Sequence, residues 1–80
     1  MLQAPPETKT FRLVRLRDVS GVSGTGVVAE GAQWPDGQVA VHWLGAWTST
    51  TVWDSIEAVL AVHGHEGATV IEWAHPDGVV

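Results

Sequence analysis

The run GVVAEGAQW-PDG-QVAVHWL, residues 26–44, constrains the fold more than any other part of the chain. Two segments rich in valine and alanine flank Pro35-Asp36-Gly37. Proline presets φ, the aspartate side chain bonds its own backbone, and glycine accepts a positive φ. Such a triplet between strand-like runs predicts an antiparallel hairpin. In the returning strand Val39, Val41 and Trp43 share one face, and Gln38, Ala40 and His42 share the other. The first set is expected to face the core, which leaves His42 outside.

The flanking segments extend this β pattern. Phe11–Arg17 (FRLVRLR) reads as a first strand whose apolar residues fall on both parities. One-sided strands alternate strictly, so the double parity predicts a bulge or strong bend. Asp18–Gly26 (DVSGVSGTG) reads as a loop. Gly45–Thr48 reads as a turn, and Ser49–Trp53 (STTVW), rich in β-branched residues, as a fourth strand. At Asp54 the period changes. Asp54 and Glu57 have capping-box spacing, and Ile56, Val59, Leu60 and His63 fall on one helical face. The predicted helix spans about 55–63 and ends at Gly64 in the left-handed conformation. Ala68–Trp73 reads as a fifth strand.

The order β-β-β-β-α-β predicts a mainly β (α+β) domain. The expected form is a small SH3-like, strongly bent antiparallel sheet or partly open barrel with the helix plugging one end. Residues 1–10 read as a flexible arm, 11–74 as one domain and 75–80 as a tail.

A chain of 80 residues buries only about 60% of its unfolded surface. Its five tryptophans are expected to compensate in the core, since each buries about 150–250 Å². There is no cysteine, which excludes disulfides, thiolate metal sites and thiol nucleophiles. No apolar run approaches the roughly 20 residues of a membrane span, and the polar start MLQAPPETKT does not resemble a signal peptide. The chain reads as soluble and cytoplasmic, with no membrane partner.

All four basic residues, Lys9, Arg12, Arg15 and Arg17, lie in the first 17 positions, and the net charge is −5. Duplex binding needs several phosphates neutralised by Lys and Arg, so sequence-specific nucleic-acid recognition is not expected. Arg12, Arg15 and Arg17 could still hold one small anionic ligand.

The motif VHGHEGAT, residues 62–69, poses a separate question. His63, His65 and Glu66 could serve as metal ligands, with His42 or His75 completing the set. Yet Gly64 has a sufficient role as a helix stop, and Glu66-Gly67 as a turn. Neither H-E-x-x-H nor G-x-S-x-G is present. The glycine loop lacks the lysine of a P-loop. The reading is therefore non-catalytic and cofactor-free, with a metal-dependent hydrolase as the residual enzyme class. Trp47 in its turn is the leading contact residue. Ser23 and Thr25 in the glycine loop, and Thr48 and Ser49 beside Trp47, complete the candidates.

The succession RDVSGVSGTGVVAEG, WPDG, VHWLG, STTVWDSIE and AVHGHEGATVIEW resembles small uncharacterised proteins of actinobacteria and their bacteriophages. The resemblance covers Phe11 to Trp73 and carries no active site across. It implies a bacterial or phage cytoplasmic setting. The residues themselves point to a small binding module for a protein or small-ligand partner. The alternative suggested by the resemblance is a phage counter-defence protein that sequesters a signalling nucleotide or inhibits a host effector. Self-association through a sheet edge or face is also expected, and would be compatible with either function.

Overall fold

The computed structural model describes residues 7–18, 24–64 and 66–74. Strands β1 (Lys9–Arg15), β2 (Gly26–Gln33), β3 (Val39–Trp43) and β4 (Ser49–Trp53) precede helix α1 (Ile56–His63), and β5 (Thr69–Trp73) follows it. All neighbours are antiparallel, in the spatial order β4-β3-β2-β1-β5. The expected element order is present, in one bent sheet that does not close. β4 and β5 form its two edges.

The hairpin forms through the predicted chemistry. The Trp34 carbonyl accepts from Gly37 N at 2.8 Å, and Trp34 N donates to Gln38 O at 2.9 Å. Asp36 Oδ1 accepts from Gln38 N at 2.9 Å, while Gly37 takes φ +96°. The resulting register sets Glu30 opposite His42 and Ala32 opposite Ala40.

The bend predicted from β1 is present, and the extra residue belongs to β2. Leu13 pairs with Ala29 but Val14 pairs with Val27, so Val28 is the bulged residue. Bulges increase local twist and bend the sheet. Helix α1 consequently contacts both β4 and β5. In a flat sheet those edges would stand about 19 Å apart, four spacings of ~4.8 Å.

The core lies between the inner sheet face and α1. Leu13, Val39, Val41 and Val59 are its largest fully buried side chains. Phe11, Ala29 and Ile56 complete the cluster. The tryptophans depart from expectation, since none is fully buried. Trp43 and Trp53 pack against the core margin, whereas Trp34, Trp47 and Trp73 are exposed. The inner face is tightly occupied by β-branched residues, and a small sheet has little interior space for an indole.

Two helix-boundary expectations are corrected. The N-cap is Ser55, not Asp54: Ser55 is extended (φ −161°, ψ 163°) and its side chain accepts from Ala58 N. At the other end Gly64 remains right-handed at φ −73°. It is Glu66 (φ 54°) and Gly67 (φ 92°) that turn the chain. Gly64 N bonds Leu60 O, and its own carbonyl accepts from Thr69 N, so the helix end leads directly into β5.

Candidate functional site on the open sheet face

The inner face carries α1; the outer face carries no element among the described residues. Residues directly opposite in neighbouring strands lie on the same face. One such row crosses the whole sheet: Glu72 opposite Arg12, Arg12 opposite Glu30, Glu30 opposite His42, and His42 opposite Thr50. Every residue of this row is exposed. The next row runs through the small residues Thr10, Ala32 and Ala40 and ends at Val52 on β4. Short side chains beside long ones leave an open depression of about 550 Å³, floored by Thr10, Ala32 and Ala40 and walled by the polar row.

The ends of the row are held by direct contacts. Arg12 Nε lies 3.0 Å from Glu72 Oε1, with both side chains more than half exposed. An ion pair this wet contributes little stability. It does fix the guanidinium, and because it uses Nε the terminal nitrogens remain available as donors. At the opposite end His42 Nδ1 lies 2.8 Å from Thr50 Oγ1. The bond fixes the imidazole ring, and Nε2 has no protein partner among the described residues. The five-strand span thus presents a cation, two carboxylates, an imidazole and a hydroxyl in line.

Residues 8–75 match the profile of a family described as Acb5 phage protein. The chain belongs to that family. No curated protein and no solved structure matches it. A phage family of small proteins accords with the phage part of the resemblance drawn from the motifs.

Within this Acb5-family chain the arginine stripe expected on one surface is divided. Arg12 is on the outer face. Arg15, three residues on, is buried on the inner face, where its Nε donates to Thr69 Oγ1 at 3.0 Å. Arg17 is exposed beyond the end of β1. Only Arg12 therefore belongs to the depression, because odd-numbered spacing along a strand reverses the face.

The remaining candidates also separate. Trp47 is 91% exposed in the β3–β4 turn, with Thr48 and Ser49 exposed beside it. Thr25 is exposed just before β2, beside Gly24, whose N donates to Asp18 Oδ2 at 2.7 Å. Ser23 lies outside the described residues.

The histidine motif does not supply three ligands among the described residues, where no group of three His, Asp or Glu side chains is arranged to hold a metal ion. His65 and His75 lie outside those residues. His63 packs on two tryptophans instead, with ring centroids 4.5 Å from Trp43 and 5.5 Å from Trp53. Both indole N–H groups donate to Thr51 Oγ1, at 2.9 and 2.8 Å. Glu66 is exposed in the turn. No helix among the described residues is long and apolar enough to cross a membrane.

Sequence reasoning named Arg12 as a candidate for an anion and His42 as a possible metal ligand, but missed the row that joins them to Glu30, Thr50 and Glu72. Glu30 and His42 were accessible to it: the Pro-Asp-Gly turn fixes i + j, and hence their pairing, without further information. Arg12 opposite Glu72 was not, because that pair depends on β5 returning beside β1.

Proposed function

We propose that this protein is a phage counter-defence factor that binds a signalling nucleotide on its outer sheet face. The Glu72–Arg12–Glu30–His42–Thr50 row beside the 550 Å³ depression carries this reading. Membership of a phage family compatible with anti-CBASS-type counter-defence supports the biological setting.

The chemistry favours a short phosphodiester ligand. Arg12 donates a fork suited to one phosphate. Glu30 and Glu72 accept from base amino and imino groups, which a free phosphate lacks. One outer-face arginine in a chain of net charge −5 disfavours a polyphosphate. The five-strand row extends about 19 Å, enough for an oligonucleotide of two or three residues. This is ligand binding by a small β domain, as the residues suggested, with Arg12 and His42 rather than Trp47 at its centre.

His42 supports a second reading, in which the bound diester is cleaved. When Nδ1–H donates to Thr50 Oγ1, Nε2 is free to accept a proton. A water or ribose hydroxyl gives that proton up as its oxygen bonds phosphorus. The opposite P–O bond breaks, its oxygen takes a proton from solvent water, His42 returns its proton to solvent, and Arg12 offsets the developing charge.

The test is calorimetric titration with cyclic and linear oligonucleotides of two and three residues, then heat release and mass analysis of the ligand. Capture returns the ligand intact; cleavage returns products, and His42→Ala then retains binding and loses conversion. Arg12→Ala is expected to weaken binding at least about tenfold, the scale of one charge-assisted hydrogen bond. Absence of binding across the panel would remove the nucleotide reading.

A further inference from the structure

We infer that β4 is a self-association edge, through which two copies join their sheets into one about a two-fold axis. The inference requires no ligand and is independent of the nucleotide reading. β4 has β3 on one side and no strand on the other among the described residues. Alternate N–H and C=O groups of an edge strand point away from its neighbour. Proteins ordinarily protect such edges with charges, proline or bulges. β4, Ser-Thr-Thr-Val-Trp, contains no charge or proline, and its pairing with β3 is regular throughout. The other edge, β5, carries Glu72.

The two-fold register of β4 selects a second copy as the occupant, and its lack of charge permits one. The chain carries −5 overall, so two copies repel each other over most approaches. β4 lets them meet without opposing like charges. The register that retains all five residues of β4 sets Thr51 on the axis, since any slip shortens the ladder. Val52 then faces the partner's Thr50, a favourable β-branched pair. Asp54 falls beside the partner's Thr48, which can donate to it. The two Asp54 carboxylates end about 20 Å apart, six residues at ~3.4 Å each.

A second observation agrees with this geometry. Trp47 is 91% exposed and Val52 is 66% exposed, so pairing at this edge can bury apolar surface that the single chain leaves in water. Antiparallel pairing brings the Trp47 turn alongside the partner's Ser55, at the start of its helix. Because the axis stands perpendicular to the sheet, both outer-face depressions open on the same side.

Sedimentation equilibrium of the whole protein over a wide concentration range tests this. Wild type is expected to pass from the 8.5 kDa of one chain to twice that mass. Val52→Glu sets a carboxylate in each copy near the axis, and Trp47→Ser removes the turn contact. Each should raise the dissociation constant at least about tenfold with unchanged circular dichroism, because both side chains are solvent-exposed in the single chain. Val70→Glu on β5 should have no effect. A mass that remains monomeric at millimolar protein would overturn the inference. A dimer indifferent to Val52→Glu, or one dispersed by Val70→Glu, would also overturn it.

Discussion

Arg15 and Thr69 form a buried donor–acceptor pair between β1 and β5. The guanidinium enters the inner face with its Nε donating to Thr69 Oγ1, a residue that is 3% exposed. Thr69→Val preserves shape and removes the acceptor, so Nε loses a protein partner where water has little access. The expected loss is about 1–3 kcal/mol, measured as a lower urea midpoint at unchanged slope. An equal midpoint would mean that water replaces the hydroxyl. Gly31 is constrained by space instead. A Cβ there would overlap both the Phe11 ring and the Ala40 carbonyl oxygen. Phe11 stands directly opposite and covers the glycine, so the ring occupies the volume a side chain would need. The ring can rotate aside, but the backbone oxygen of a paired strand cannot. Gly31→Val is therefore expected to destabilise the domain by more than about 2 kcal/mol, by overpacking, and to lower its melting temperature by roughly 8–16 °C.

At the scale of elements, the helix boundary provides a direct comparison between two adjacent polar residues. Ser55 accepts from Ala58 N at 3.0 Å, whereas Asp54 is exposed ahead of the cap. Ser55→Ala should cost about 1 kcal/mol, and Asp54→Ala only a few tenths through the helix dipole. Equal losses in thermal unfolding would contradict the cap assignment. Asp54 and Ser55 have nearly equal capping propensity, which is why sequence alone placed the cap one residue early. The spacing to Glu57 favoured Asp54; the extended backbone at Ser55 decided otherwise. Gly64 and Gly67 pose the same ambiguity at the helix end. Each can take a positive φ, and the bonds from Gly64 N to Leu60 O and from Thr69 N to Gly64 O accompany a right-handed Gly64. The strands were more legible, because alternation and the Pro-Asp-Gly turn are local. The candidate site was less so. His42 looked like an isolated surface histidine until Arg12, Glu30 and Thr50 were brought beside it by pairing across the sheet.

The charge distribution of the whole molecule sets how it can hold an anion. A basic nucleic-acid binder gains affinity by releasing counterions, and the slope of log K against log salt is about −0.7 per neutralised phosphate on a single strand. Here the outer face offers Arg12 as its one arginine, with Glu30 and Glu72 on either side in the register. Around them is a chain of net charge −5. One phosphate contact therefore sets the attractive part of the slope, and the acidic body contributes repulsion that salt screens over a Debye length of ~10 Å at 0.1 M. The two effects oppose each other. Nucleotide affinity should consequently vary with a slope shallower than about −0.7 between low and physiological salt, or even increase slightly. Titrations of wild type at several salt concentrations measure this directly. A steep fall would show that several cations gather on the ligand, which would require Lys9 or Arg17 to reach it. In Arg12→Ala the attractive part disappears, and the residual binding should strengthen with salt. That reversal of sign separates a ligand held by Arg12 from one held by base contacts alone.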